Sequence, residues 1–181
     1  MSEINWTEIN NKLPTGKDPE SKTRRLKLFR AFDNGNGVLS LQEVDKAIRD
    51  VLEIDEIFNA KPAIKRAFEI AKNKFPSQRS HGDDYIELRE FKFFLLSLRQ
   101  YFEYWVAFCR ADTSGDHRIS LDEFLSVREK IELWVGEIGD MEAEFKAIDK
   151  DGSGTIAFDE FCDWAIMKNL DLEDDDDDIA Q

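Results

Sequence analysis

Long apolar runs, cysteine and histidine are scarce in this chain, and each shortage removes a class of function. Apolar runs of the Phe93–Leu96 kind are far too short for a transmembrane helix, which needs about 20 such residues. No apolar stretch follows Met1-Ser2-Glu3, so no signal peptide is expected. Only two cysteines occur, Cys109 and Cys162, both in helical stretches with apolar neighbours. They read as buried reduced thiols of an intracellular protein rather than as a disulfide or a nucleophile. Two histidines leave a zinc site without its usual ligands. Neither a nucleophile–base pairing nor a phosphate-cradling glycine motif is evident, so an enzyme is not expected.

Positive charge is scarce in one half only. Residues 1–110 carry 19 Lys/Arg against 17 Asp/Glu, whereas residues 111–181 carry 6 against 22. The acidic half lacks the basic footprint that nucleic acid requires, and nucleic acid is set aside as a partner.

What the acidic half does contain is a twelve-residue loop, Asp149 to Glu160. Asp149, Asp151 and Ser153 stand at loop positions 1, 3 and 5, where side-chain oxygens ligate calcium. Gly154 at position 6 permits the sharp turn, having no Cβ to clash at positive φ. The Thr155 carbonyl fills position 7, and Glu160 at position 12 closes the sphere with two oxygens. Ala157 at position 9 leaves that place to water. This is the EF-hand pattern, a helix–loop–helix built around a calcium ion.

A related loop lies 37 residues upstream, from Asp112 to Glu123. Asp112, Ser114, Asp116, Arg118 and Glu123 take positions 1, 3, 5, 7 and 12, with His117 in place of the glycine. His117 is read as a turn residue, not a ligand. Two weaker copies precede these. Asp33 to Glu43 is one residue short and has no central carboxylate, and Arg79 to Glu90 opens on an arginine where a ligating carboxylate belongs. The second of these is read as unable to bind calcium and retained to pair with the first. Leu39, Ile86, Ile119 and Ile156 recur at one loop position and predict a short β ladder between paired loops.

Apolar residues flank each loop at spacings of three and four, as in Leu28, Phe29 and Phe32, or Phe124, Val127, Ile131 and Trp134. The pattern predicts an all-α EF-hand fold of four hands in two paired lobes. Residues 1–20 form an N-terminal extension, 21–99 a lobe with two degenerate hands, 100–170 a lobe with two functional hands, and 171–181 an acidic disordered tail. No Gly or Pro interrupts Phe91 to Ala111, which predicts one compact body without a flexible linker.

Two basic stretches stand out in the first half. Lys12–Arg30 holds seven basic and two acidic side chains, and Lys61–Arg79 holds six and one. They read either as solvated helix faces or as a surface for an anionic membrane or acidic partner. Trp6, Ile9 and Leu13 share one face of a short helix that Pro14 ends, and they are expected to pack onto the body.

These features together make the chain similar to the protozoan flagellar calcium-binding proteins, the calflagins. The resemblance runs from Trp6 to the acidic tail. It rests on Trp6–Pro14, the helix from Arg24 to Asp33, the two degenerate loops, and Phe161-Cys-Asp-Trp164-Ala165. It implies a calcium sensor at the flagellum, cytoplasmic or flagellar in location, with the third and fourth loops as working sites. Calflagins resemble other acylated sensors in starting Met-Gly beside a cysteine. This chain starts Met1-Ser2-Glu3, so lipid anchoring is not expected. The function expected is therefore calcium-dependent regulation of an unidentified protein or membrane target. The alternative is a calcium buffer or static structural subunit. Magnesium is a competitor for the same oxygens.

Overall fold

The computed structural model describes residues 4–75, 84–170 and 172, and among these are ten α-helices, one π-helical turn and four two-residue strands. Two compact units divide the chain, Met1–Phe102 and Glu103–Gln181.

Capping chemistry starts the helices of the first unit. Helix α1 spans Trp6–Lys12 and begins where the Asn5 side chain accepts the Glu8 N–H. Helix α2, Pro19–Phe32, has proline in its first turn, where no donor is lost. Asp18 caps it by accepting from Ser21 N–H at 2.8 Å and Ser21 Oγ at 2.7 Å. Strand β1 (Val38–Leu39) leads into α3 (Leu41–Ala47), which opens with a reciprocal box between Ser40 and Glu43. A single π-helical turn, Ile48–Leu52, follows and ends at Glu53 with φ of 52°. Val51, at apolar spacing after Val44 and Ile48, lies 39% exposed on this wider turn. Helices α4 (Asp55–Asn59) and α5 (Lys61–Lys72) come next; α5 buries Ala63, Ile64, Ala67, Phe68 and Ala71 on one face.

Strand β2 (Ile86–Glu87) pairs antiparallel with β1, with Leu39 opposite Ile86. The first loop pair is thus zipped by the expected apolar residues, both fully buried. The glycine-free segment forms one 24-residue helix, α6 (Leu88–Ala111), and the division between the units falls within it. The first unit's core is aromatic. Phe29 and Phe32 both meet Phe91 edge to face at 5.3 and 5.4 Å, and Phe94 stacks on Phe91.

The second unit repeats this plan. Strand β3 (Ile119–Ser120) precedes α7 (Leu121–Ser126) and α8 (Arg128–Val135). The expected apolar residues Phe124, Val127, Ile131 and Trp134 are all buried, but the helix carrying them is interrupted at Val127, where φ is −106°. There Ser126 Oγ donates to the Glu123 carbonyl at 2.8 Å, sharing it with the ordinary helical Val127 N–H. Helix α9 (Met141–Ile148), β4 (Thr155–Ile156) and α10 (Phe158–Lys168) complete the unit. Ile119 stands opposite Ile156 in the β3–β4 ladder. Phe108 meets Phe158 and Phe161, while Phe124 meets Phe145 and Trp164.

The N-terminal helix docks as its apolar face requires. Trp6, Ile9 and Leu13 are buried, with the Trp6 ring 5.7 Å from Phe102 and the Arg99 guanidinium 4.5 Å above Trp6. Part of the basic stretch reaches backbone carbonyls of the chain. Arg24, though exposed, donates to the Asn11 carbonyl, Arg25 to those of Pro14 and Gly16, and Lys12 to that of Glu53. Expected as solvated helix faces or as a partner surface, these three cations are held by the chain's own carbonyls. Arg79 and most of the acidic tail lie outside the described residues, but Leu172, within the stretch expected to be unstructured, is fully buried.

Replacing Trp6 with alanine removes the contacts to Phe102 and Arg99 together. A stability loss of about 3 kcal/mol in the first unit is expected by urea denaturation followed by circular dichroism. A loss below about 1 kcal/mol would show that the segment is not held by its apolar face.

Candidate metal centre

In the fourth loop the glutamate at position 12 organises the chain around it. One oxygen of Glu160 accepts the Lys150 and Asp151 N–H groups at 2.9 and 3.2 Å; the other accepts the Ala157 N–H at 2.9 Å. Asp149 receives the Ser153 N–H on one oxygen and the Gly154 N–H on the other. Gly154 takes φ of 84°, the left-handed turn that position 6 requires. Asp151 accepts from Ser153, which holds its carboxyl below the usual range. The Ser153 hydroxyl in turn donates to the Thr155 carbonyl at 2.9 Å.

Among the described residues, Asp149, Asp151 and Glu160 are the carboxylates whose ligand atoms converge to within 4.8 Å of one another. The donors are all oxygen, with neither thiolate nor imidazole among them. Such a set suits a hard cation, calcium or magnesium, and does not suit zinc or copper. Amide N–H groups offset the mutual repulsion of the carboxylates, and a divalent ion would do so far more strongly.

The third loop has the same frame. Asp112, only 7% exposed, accepts from Gly115 N–H on one oxygen and His117 N–H on the other. Glu123 accepts from Ser114 N–H at 2.8 Å, and from Ser120 N–H and hydroxyl at 2.8 and 2.7 Å. Burial raises the Glu123 pKa, but these donors from Ser120 and Ser114 outweigh it and hold the carboxyl down to about 2. It is therefore ionised at any physiological pH. Asp116 is engaged locally, accepting the Arg118 N–H at 2.9 Å, and Asp112, Asp116 and Glu123 do not converge as the fourth loop's carboxylates do. Ser114 Oγ reaches Asp112 at 3.2 Å.

His117 occupies the position-6 turn at φ of 64°. Its ring stacks on Trp105 at 5.7 Å and 26°, a contact that helps hold a side chain where glycine is normally favoured. Arg118 has a role the loop pattern does not show. Its guanidinium reaches across the ladder to Thr155 Oγ1 at 3.2 Å, joining the third loop to the fourth. In the ladder Thr155 stands opposite Ser120, and Arg118, just before β3, reaches it diagonally, a bond that spacing within the loop does not signal.

The first loop keeps the frame with fewer charges. Asp33 accepts the N–H groups of Gly35, Asn36 and Gly37, and Glu43 accepts those of Asn34 and Ser40. In the second, Glu90 is fully buried and accepts the Glu87 N–H at 2.9 Å, while its other oxygen has no partner. The position-1 arginine of that loop, Arg79, lies outside the described residues.

Both cysteines are free, Cys162 buried and Cys109 half-buried. Burial and the neighbouring Asp112 charge push the Cys109 thiol up to about 11.

Comparison with known proteins follows this geometry. The family model described as the FCaBP EF-hand domain matches residues 9–98, and an EF-hand domain pair matches residues 104–166. The chain is 37% identical over 178 residues to flagellar calcium-binding protein TB-17 of Trypanosoma brucei brucei, covering 97% of this chain and 76% of that one. It is 34% identical over 179 residues to the flagellar calcium-binding protein of Trypanosoma cruzi, covering 97% and 85%. Among solved structures it is similar to a homologue of programmed cell death 6 protein from Leishmania major, at 19% identity and a TM-score of 0.41 over 87% and 78% of the two chains.

Two outcomes check the site's local structure. His117→Val puts a β-branched residue at positive φ and should destabilise the second unit by about 2 kcal/mol in thermal melts, with His117→Gly near neutral. At pH 8 the native Cys109 thiol should react with a disulfide reagent about 100-fold more slowly than in the unfolded chain, gaining about tenfold per pH unit below 11.

Proposed function

We propose that this chain, which belongs to the flagellar calcium-binding protein family, senses calcium through its third and fourth loops and answers by reshaping its second unit. The observation that carries the reading is the convergence of Asp149, Asp151 and Glu160, set in a frame that Asp112 and Glu123 repeat across the β3–β4 ladder. The ligands assigned are Asp112, Ser114, Asp116, Arg118 and Glu123 in one loop, and Asp149, Asp151, Ser153, Thr155 and Glu160 in the other. Arg118 and Thr155 would serve through their carbonyls.

Bound calcium would supply a divalent charge that takes six to eight oxygens. The residues make that charge felt at a distance through the position-12 glutamates. Glu123 and Glu160 each stand third in an exit helix, α7 or α10, and each also grips the start of its own loop. Any movement of either carboxylate away from its amide donors shifts the first turn of the helix it belongs to. The ladder and the Arg118–Thr155 bond tie the two movements together, so the loops respond as a pair. Leu133 and Met167, 72% and 68% exposed, are apolar positions that a protein target can meet.

The first unit supplies contact rather than ion binding. Lys17, Lys22, Lys27 and Arg30 remain exposed after Arg24 and Arg25 have turned to the N-terminal segment. These form the basic surface we assign to an acidic or anionic partner, at the flagellum as the relatives' names indicate. No helix among the described residues is long and apolar enough to cross a membrane.

Isothermal titration should give two calcium ions per chain, one in Glu123→Gln and one in Glu160→Gln, with affinity at the altered loop falling about 100-fold. A stoichiometry unchanged by both substitutions would place the ions elsewhere. Hydrophobic-dye fluorescence should rise with calcium; stoichiometric binding without any dye or tryptophan response would make the chain a buffer instead.

A further inference from the structure

The chain does not run off into solvent after α10. Asn169 adopts φ of 53° and reverses the backbone, with its N–H on the Ile166 carbonyl and the Leu170 N–H on that of Ala165. Such a left-handed stop satisfies the last carbonyls of a helix and re-aims the chain. Leu170 and Leu172 then bury to 5% and 0% exposure. The Leu172 N–H donates to a carboxylate oxygen of Glu103 at 2.5 Å, and Glu103 is itself only 7% exposed. A buried carboxylate taking an amide from 69 residues away is a costly arrangement unless the bond is kept.

The two elements joined in this way matter. Glu103 lies in α6, which enters the third loop, and Leu170 and Leu172 extend α10, which leaves the fourth. These are the outer helices of the calcium-binding pair, the ones whose angle must change if the unit opens.

We propose that Leu170 and Leu172 are an intramolecular clasp. They occupy an apolar docking surface of the second unit and hold α6 to α10 in the closed arrangement. A target that presents two leucines flanking one acidic residue competes for the same surface. The clasp shares its lobe with the calcium reading above, and its regulatory consequence rests on that reading. Because it favours the closed state, some calcium-binding free energy is spent in releasing it.

The test uses the full chain. Leu170→Ala/Leu172→Ala should bind anilinonaphthalene sulfonate about threefold more than the parent in chelator, and should bind calcium about fivefold more tightly. Glu103→Ala should act in the same direction. Glu103→Gln, which retains an acceptor oxygen for the Leu172 N–H, should stay near the parent. A synthetic Asn169–Asp178 peptide, added to the leucine variant, should reverse the calcium-free dye signal. Circular dichroism confirms that each variant is folded; should the leucine pair fail to fold, Glu103→Ala against Glu103→Gln decides. Unchanged dye binding and calcium affinity in the folded variants would overturn the clasp. Lower stability with unchanged affinity would also overturn it, leaving only core packing. The calcium-free arm judges the clasp alone, whereas a parent chain with no calcium-induced dye response would defeat the sensor reading.

Discussion

In three of the four hands one carboxylate carries the architecture. Glu43, Glu123 and Glu160 each send one oxygen to an amide at the start of the loop and the other to the amide that opens the exit helix. The loop is closed on itself and the helix is capped by the same side chain. Each bond is between an ionised acceptor and a backbone donor, roughly twice as strong as its neutral counterpart. The first turn of the exit helix and the start of the loop are therefore anchored by the same carboxylate.

The same frame serves two purposes in the two units. In the second, the loop aspartates and glutamates crowd enough negative charge to make a divalent cation the natural partner. In the first, Asp33 and Glu43 are met by backbone amides from Gly35, Asn36, Gly37, Asn34 and Ser40. The first pair keeps its ladder, with Leu39 opposite Ile86, and its aromatic core around Phe91, so it remains a scaffold. This scaffold also carries the docked N-terminal helix and an exposed set of lysines.

Much of this is legible in the residues alone, for local reasons. Ligand positions fall within twelve consecutive residues, and the residue type at each is dictated by the ion. The apolar residue at the shared loop position gives the ladder its register. Helix breaks are less legible: Val127 carries the right spacing for a continuous helix and is buried, yet the helix is interrupted there. Val51 fits the apolar pattern too, yet a π turn places it outside.

The sequence by itself determined the four hands, their pairing and the hard cation. Each follows from short-range spacing and from the chemistry of single residues. Only the tertiary structure decided where His117 finds its support, that Arg24 and Arg25 turn to backbone carbonyls, and that Leu172 returns to Glu103. Those outcomes join residues far apart in the chain. Their partners are backbone groups and ring faces, which every sequence supplies in abundance and none marks in advance.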